Sequence, residues 1–459
     1  MPVATTARTI SQETFNGFVN ENIEDLGMDP DEALEDAIQT LTLQGVDLSG
    51  VVKCVPGTAT HPVIRALEEL EKAKAGDVVD NLESVSALLD ELCTLCLNGG
   101  SDGDVAIATR NGGVELICSI CSSLDPRHER PLVAAFKVLA SLLHDIQSSE
   151  AFRQSGGPKI VLNVLKDAAH IVNLLDGGFA VVAAAATGNE IVKESFMELR
   201  IDELIVQIMR EQSKCNIQSF YDSIRVLLTP DDDRVLASQV YGYARRFYKI
   251  GIADSLVDAL REGLNSAGLV SACVALKAVA VNDEICRSIA DNGGIDVILQ
   301  CIDDNGDLNN KAAVKACCSL LSKLAGSDAN KSTIVQLGGL DKLIKLSHRF
   351  CEEPSVLQEI MSIFWVLSLR SPENAAHAVE AGVGDFAIQS MQKFPSAAQL
   401  QKQSCLMIRN LVVRNPENRT ILLSSGIEKI IRKAKETHES CKDAATDALR
   451  DLGLDDYNM

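Results

Sequence analysis

Apolar residues return along most of this chain at the i, i+3, i+4 spacing of helices that bury one face. Lys311 to Leu324 shows the pattern, with Ala313, Val314, Cys317, Leu320, Leu321 and Leu324 on one stripe. Shorter helical stretches alternate with such segments, each preceded by a small-residue step. The steps read Gly112-Gly113-Val114, Gly156-Gly157-Pro158, Leu199-Arg200-Ile201, Ile250-Gly251-Ile252, Gly293-Gly294-Ile295, Gly338-Gly339-Leu340, Ala381-Gly382-Val383 and Ser425-Gly426-Ile427. Between middle residues the intervals are 44, 43, 51, 43, 45, 43 and 44. A period of about 40 to 47 residues marks a stacked helical array, because each unit must bury its apolar face on its neighbours. The period predicts an all-α, right-handed superhelical solenoid of eight to nine repeats over residues 61–459.

Within a unit the pattern predicts an opening loop, a short helix, a connector and a longer third helix. In the unit at Gly338 these are Leu340 to His348, then Pro354, then Val356 to Leu369. Pro62 to Lys74 and Val78 to Leu97 read as the last helices of a first unit. Asn330, Asn374 and Asn418 each stand eight residues before the middle residue of a step or close to it, and are expected to cap the next short helix. The long interval of 51 residues ends at Gly251 and marks an insertion near 229–250, where three of the five tyrosines fall in eight residues.

Residues 1–60 depart from the period. Up to Gly50 they hold ten acidic residues and one basic residue, Arg8. Two amphipathic stretches, Ser11 to Leu26 and Asp31 to Leu43, predict an acidic helical leader that folds back on the first repeat or stays mobile, and Gly45 to Pro56 reads as a connector.

Composition narrows the function. Hydrophobic residues make up 46% of the chain but aromatics only 4%, so the core is aliphatic. The net charge of −21 opposes binding to phosphate backbones, which runs on Lys and Arg, and suits basic protein partners or simple solubility. The 14 cysteines sit mostly in apolar helical surroundings, which indicates packing and a reducing compartment. There is no signal-peptide pattern and no apolar run of about 18 residues. The expected setting is the cytoplasm, with the nucleus also open, and the expected state a monomer without cofactor.

Two Cys-x-x-Cys pairs, Cys93/Cys96 and Cys118/Cys121, approach a zinc-ribbon spacing. Both lie inside apolar helical runs, so core packing is the first reading and a metal- or redox-dependent role the alternative. The seven histidines (His61, His128, His144, His170, His348, His377, His438) are scattered singly. Asn98 to Gly103 is glycine-rich but lacks the Lys-Ser/Thr end of a phosphate-binding loop. Asp231 to Asp233 lacks the ligand spacing of a calcium loop and reads as solvated. No enzyme motif appears. Tyr241, Tyr243, Arg245, Arg246 and Lys249 form a basic-aromatic segment that suits a partner surface or, as an alternative, weak RNA binding.

The period, the glycine step followed by L-x-x-L-I-x-L and the asparagine before I-V-x-x-G-G (Asn330 to Gly339) resemble armadillo repeats over residues 61–453. The chain also resembles the armadillo repeat-containing protein 6 family. The likeness lies in I-x-Q-E-T-F (Ile10 to Phe15), E-N-I-E-D (Glu21 to Asp25), G-V-D-L-S (Gly45 to Ser49), D-S-I-R to R-V (Asp222 to Val235), Q-K-Q-S-C-L-M-I-R-N-L-V (Gln401 to Val412) and A-L-R-D-L-G (Ala448 to Gly453). The resemblance implies a non-enzymatic scaffold or adaptor whose third helices line a groove for an extended, possibly basic, segment of another protein. In similar arrays a recurrent third-helix asparagine clamps the partner's backbone. Only Asn410 fits that place here, with Ala278, Lys323 and Val366 or Ser368 elsewhere. Lys323, Trp365, Arg409 and Asn410 are the groove residues the resemblance implies, Trp365 serving as core filler or platform.

Overall fold

The computed structural model describes residues 8–57, 61–76, 78, 81–98, 103–211, 216–231 and 237–455. The chain folds as an all-α repeat solenoid and divides into two compact units, Met1–Leu204 with Pro230–Leu236, and Ile205–Thr229 with Ala237–Met459. Among the described residues, Pro62–Ala75 and Leu82–Asn98 form an opening two-helix repeat, followed by eight three-helix repeats.

The third helices are Leu82–Asn98, Glu129–Leu142, Val172–Ala186, Gln218–Leu228, Ser266–Val279, Lys311–Leu324, Pro354–Ser368, Ala398–Val412 and Lys442–Asp451. Within each unit, successive third helices pack side by side and form the core. Lys311–Leu324 buries Ala313, Val314, Cys317, Leu320, Leu321 and Leu324 completely, the stripe that the apolar pattern predicts.

Every step adopts one backbone state. Gly112, Gly156, Gly251, Gly293, Gly338, Gly382 and Gly426 all have φ between +72° and +99°, the left-handed region that glycine enters without steric cost. At the remaining step Arg200 takes the same state, with φ +62°. The paired glycines divide two tasks, since a Cβ at the second would lie 2.6 to 2.7 Å from the Ala108, Phe152, Ile289 or Ile334 carbonyl of the preceding short helix. Where that approach is absent, Ile201, Ile252, Val383 or Ile427 fills the place with a buried side chain.

Asn330, Asn374 and Asn418 do not cap their helices. Each is the third residue of its short helix, and its amide reaches backwards. Asn330 Nδ2 donates to the Cys286 and Leu324 carbonyls at 2.9 and 3.0 Å, and Asn418 Nδ2 to the Ala375 and Leu411 carbonyls at 3.0 and 2.9 Å. Asn374 Nδ2 donates to the Leu367 carbonyl at 3.4 Å. The amides thus satisfy third-helix ends, and two of them also tie neighbouring short helices together. In the Asn374 helix capping falls to Ser371, which accepts from the third helical N–H, as Asn189 and Asn282 do in earlier repeats.

The interval of 51 residues is partly helix. The short helix before Gly251, Ala237–Lys249, has 13 residues, against nine in each of the four that follow. Asp231 is bound and not merely solvated. Its Oδ2 accepts from Lys193 Nζ at 2.6 Å and from the Gly188 N–H at 2.7 Å, and Lys193 is 1% exposed. Asp232 and Asp233 lie outside the described residues.

The leader forms helices Gln12–Glu24 and Pro30–Leu43, capped by Ser11 and Asp29. Arg8–Thr9 and Val46–Asp47 pair as a short parallel ladder, a small departure from purely helical structure. Phe15, Val19, Ala33, Ala37, Leu41, Val46, Leu48 and Val51 make its own core. One clasp joins it to the short helix Gly103–Arg110: Arg110 lies over Gly50, where any side chain would collide, and its Nη2 sits 3.5 Å from Asp47 Oδ2. Two hydrogen bonds from Ser49 and the nearby Arg110 cation hold the Asp47 carboxyl below its ordinary pKa.

Candidate protein-binding face

Four successive third helices, Ser266–Val279, Lys311–Leu324, Pro354–Ser368 and Ala398–Val412, carry six cations: Lys277, Lys311, Lys315, Lys323, Lys402 and Arg409. Glu359 is their single carboxylate. This stands out in a chain of net charge −21. Lys277, Lys311 and Lys323 are exposed, while Lys315, Lys402 and Arg409 are half-buried. Lys277 Nζ donates to Ser319 Oγ on the next helix at 2.7 Å, and Lys311 pairs with Glu353. Among the described residues Lys315, Lys323 and Lys402 make no ion pair. Burial pushes the Glu359 carboxyl up, with Lys277 and Lys315 from two other repeats pulling the other way.

The third-helix residues picked from the sequence are partly brought together. Asn410 Nδ2 donates to the Trp365 carbonyl at 2.9 Å, so that donor holds a neighbouring helix of its own chain. Trp365 is half-buried. Arg409 pairs with Asp447 at 3.1 Å and with Asp451 at 3.4 Å, which leaves less of its charge for a partner. Lys323 stays exposed near the end of its helix.

A cavity of about 140 Å³ opens beside this face. Arg370, Arg409 and Arg414 line it with Ser371, Asn410 and Asn415. Arg370 and Arg414 were not picked from the sequence, although Arg-Ser-Pro-Glu-Asn (370–374) and Arg-Asn-Pro-Glu-Asn (414–418) repeat 44 residues apart. That recurrence was the available signal, as was the near-absence of acids from the four helices.

The basic-aromatic segment is the long short helix of its repeat. Ala244 and Phe247 are fully buried, Arg245 and Lys249 exposed, and Tyr243 and Arg246 engaged within the chain. The Tyr241 side chain lies outside the described residues. Cys93 and Cys96 sit in Leu82–Asn98, and Cys118 and Cys121 in Gly113–Ser123. Burial pushes the Cys96 and Cys118 thiols up to about 12 and raises Cys93 and Cys121 as well. Burial thus disfavours the thiolate form that redox attack needs. No group of three or more potential metal ligands occurs among the described residues, and none of the described helices is long and apolar enough to cross a membrane.

Known proteins match this arrangement. A sequence profile of the armadillo repeat-containing protein 6 N-terminal domain matches residues 7–75, the leader and the first helix of the array. Armadillo repeat-containing protein 6 of Homo sapiens is 28% identical over 402 residues, covering 82% of this chain and 77% of that protein. Over most of its length the chain is similar to armadillo repeat-containing protein 6. The Drosophila melanogaster homolog is 26% identical over 389 residues, covering 82% of this chain and 80% of its own. Two solved structures share the fold. One, an engineered protein, has TM-score 0.57 and 16% identity, covering 86% of this chain and 99% of its own. The other concerns a phosphorylation switch controlling the interaction between cadherin and beta-catenin, with TM-score 0.58, 17% identity and coverage of 96% of this chain and 82% of its own.

Proposed function

We propose that this armadillo-repeat protein is a non-enzymatic scaffold that holds an acidic, extended segment of a partner protein on the third helices of residues 266–412. The observation carrying the proposal is charge. Six cations against one carboxylate on four adjoining helices, four of the cations without an ion pair among the described residues, favour a negatively charged segment and disfavour a basic one. Rows of repeated helices suit an extended chain, because each repeat offers the same backbone spacing. The armadillo architecture supports the scaffold reading, as does the beta-catenin-related neighbour, which belongs to a protein–protein interaction.

Pull-down with immobilised full-length protein tests it. Wild type should retain a partner whose binding weakens steeply with salt, and Lys315→Glu/Lys323→Glu/Lys402→Glu should lose it. Retention of the same partners by the triple variant would sink the proposal. The metal and redox alternative is disfavoured by the raised thiol pKa values of Cys93, Cys96, Cys118 and Cys121. RNA binding is disfavoured by the net charge and by the engagement of Tyr243 and Arg246 within the chain.

A further inference from the structure

We propose that the cavity lined by Arg370, Arg409 and Arg414 receives the phosphoryl group of a phosphorylated serine or threonine on the segment lying across the third-helix face. The inference rests on the acidic-segment reading and specifies one contact within it.

The cavity lies where two repeats meet. Its lining runs from the end of Pro354–Ser368 through Arg370 to Ser371 and Pro372, and from Arg409 through Arg414 to Asn415. Arg409 and Asn410 belong to the third-helix face as well, so a segment held there passes the mouth of the cavity. Its volume of about 140 Å³ compares with roughly 30 Å³ for one water in the liquid and accommodates a phosphoryl group. The lining is cationic: three guanidiniums, two hydroxyls and two amides, with no carboxylate. Guanidinium forks match phosphate oxygens with paired hydrogen bonds.

The charges are unevenly committed. Arg409 is held by Asp447 and Asp451. Among the described residues Arg370 pairs with Asp328 alone, at 3.7 Å and with both side chains about two-thirds exposed, a pair worth little in water. Among the described residues Arg414 makes no ion pair. Glu373 and Glu417 stand in the first turns of the adjoining short helices but do not line the cavity. Two guanidiniums are therefore available for an incoming dianion.

The backbone at Arg370 adds a second, independent observation. Arg370 has φ +59°, immediately before the N-cap Ser371. At the matching place in an earlier repeat, before N-cap Asn189, the chain uses Gly188 with φ +71°. A side chain in this state is strained, and glycine would fit without strain. An arginine there keeps a cation at the cavity mouth at a conformational cost.

Fluorescence anisotropy on the full-length protein tests this. The probes are two labelled 12-residue peptide libraries whose flanks mix Asp, Glu, Gly, Leu and Ser, with a fixed central serine in one and phosphoserine in the other. The phosphoserine library should bind wild type about tenfold more tightly. Arg370→Gly/Arg414→Ala should erase that gain, so that the two libraries bind with equal affinity, and leave the Tm at or above wild type. Equal binding of the two libraries, or a gain that survives in the double variant, overturns the phosphoryl site while leaving the acidic-segment reading standing. If inorganic phosphate alone binds as tightly as the phosphoserine library, the site takes a free anion and the proposal falls. If neither library binds wild type, both readings fall together.

Discussion

The third helices of residues 82–186 and those of residues 266–412 follow one backbone period and carry opposite charge. Leu82–Asn98, Glu129–Leu142 and Val172–Ala186 hold five acids (Glu83, Asp90, Glu91, Glu129, Asp176) against Arg130 and Lys137. The later four helices hold six cations against Glu359. Both rows bury the same kind of aliphatic stripe, so packing leaves the outward positions free to differ. Stability comes from what the two rows share, and partner choice from what they do not.

The internal ties differ as well. At the third position of the short helix the later repeats place Asn330, Asn374 and Asn418, while the earlier ones place Ser148 and Val192. Asn418→Ala should give the largest effect. It removes the buried hydrogen bonds to the Ala375 and Leu411 carbonyls and should cost about 2 kcal/mol, read as a lowered midpoint in urea. Ser148→Ala should cost less, since Ser148 also donates locally to the Asp145 carbonyl. A larger loss at Ser148 would show that the two regions are tied alike.

Charge reversal sharpens the contrast next. Lys315→Glu/Lys323→Glu/Lys402→Glu should weaken an acidic partner segment by roughly tenfold or more. Asp90→Lys/Glu91→Lys in the earlier row should leave that affinity unchanged. Equal losses from both variants would place the partner across both rows.

Smaller effects come from single local features. Arg200 is the step residue that occupies the left-handed state with a side chain, so Arg200→Gly should raise stability by about 0.5 kcal/mol. The Arg200 pair with Glu203 is exposed and subtracts little. Glycine replacements at the other steps are already in place, which makes Arg200 the distinctive test of the turn.

Glu359 sets the smallest and most pH-dependent effect. Its folded pKa is raised, so its contribution to stability is fully present below the unfolded carboxyl range and is lost as pH rises through the folded value. Glu359→Gln should therefore raise the Tm at pH 7 and change it little at pH 4. It should also tighten acidic-segment binding at pH 7, because the face loses its single carboxylate. A lowered Tm at pH 7 would contradict the burial argument.

Much of the fold was legible because its signals are local. The stripe from Ala313 to Leu324, the glycine steps and the caps at Ser11 and near Pro30 depend on residues a few positions apart. Asn330, Asn374 and Asn418 were noticed but given the wrong task, since an amide near a helix start can serve its own helix or the preceding one. The candidate site was less legible. Lys323, Trp365, Arg409 and Asn410 were placed by register, yet Asn410 binds the Trp365 carbonyl and Arg409 binds two aspartates. Arg370 and Arg414 went unnoticed because their meaning depends on convergence from adjoining repeats.

The sequence by itself determined the repeat length, the helical class and the aliphatic core. These follow from 3.6-residue periodicity and from steric limits on single residues, which act within a turn or two of helix. Only the tertiary structure decided that Arg110 clasps the leader, that Asp231 sits on a buried Lys193, and that guanidiniums 44 residues apart share a cavity. Those contacts join residues separated by about one repeat or more, and their geometry exists only once neighbouring repeats have stacked.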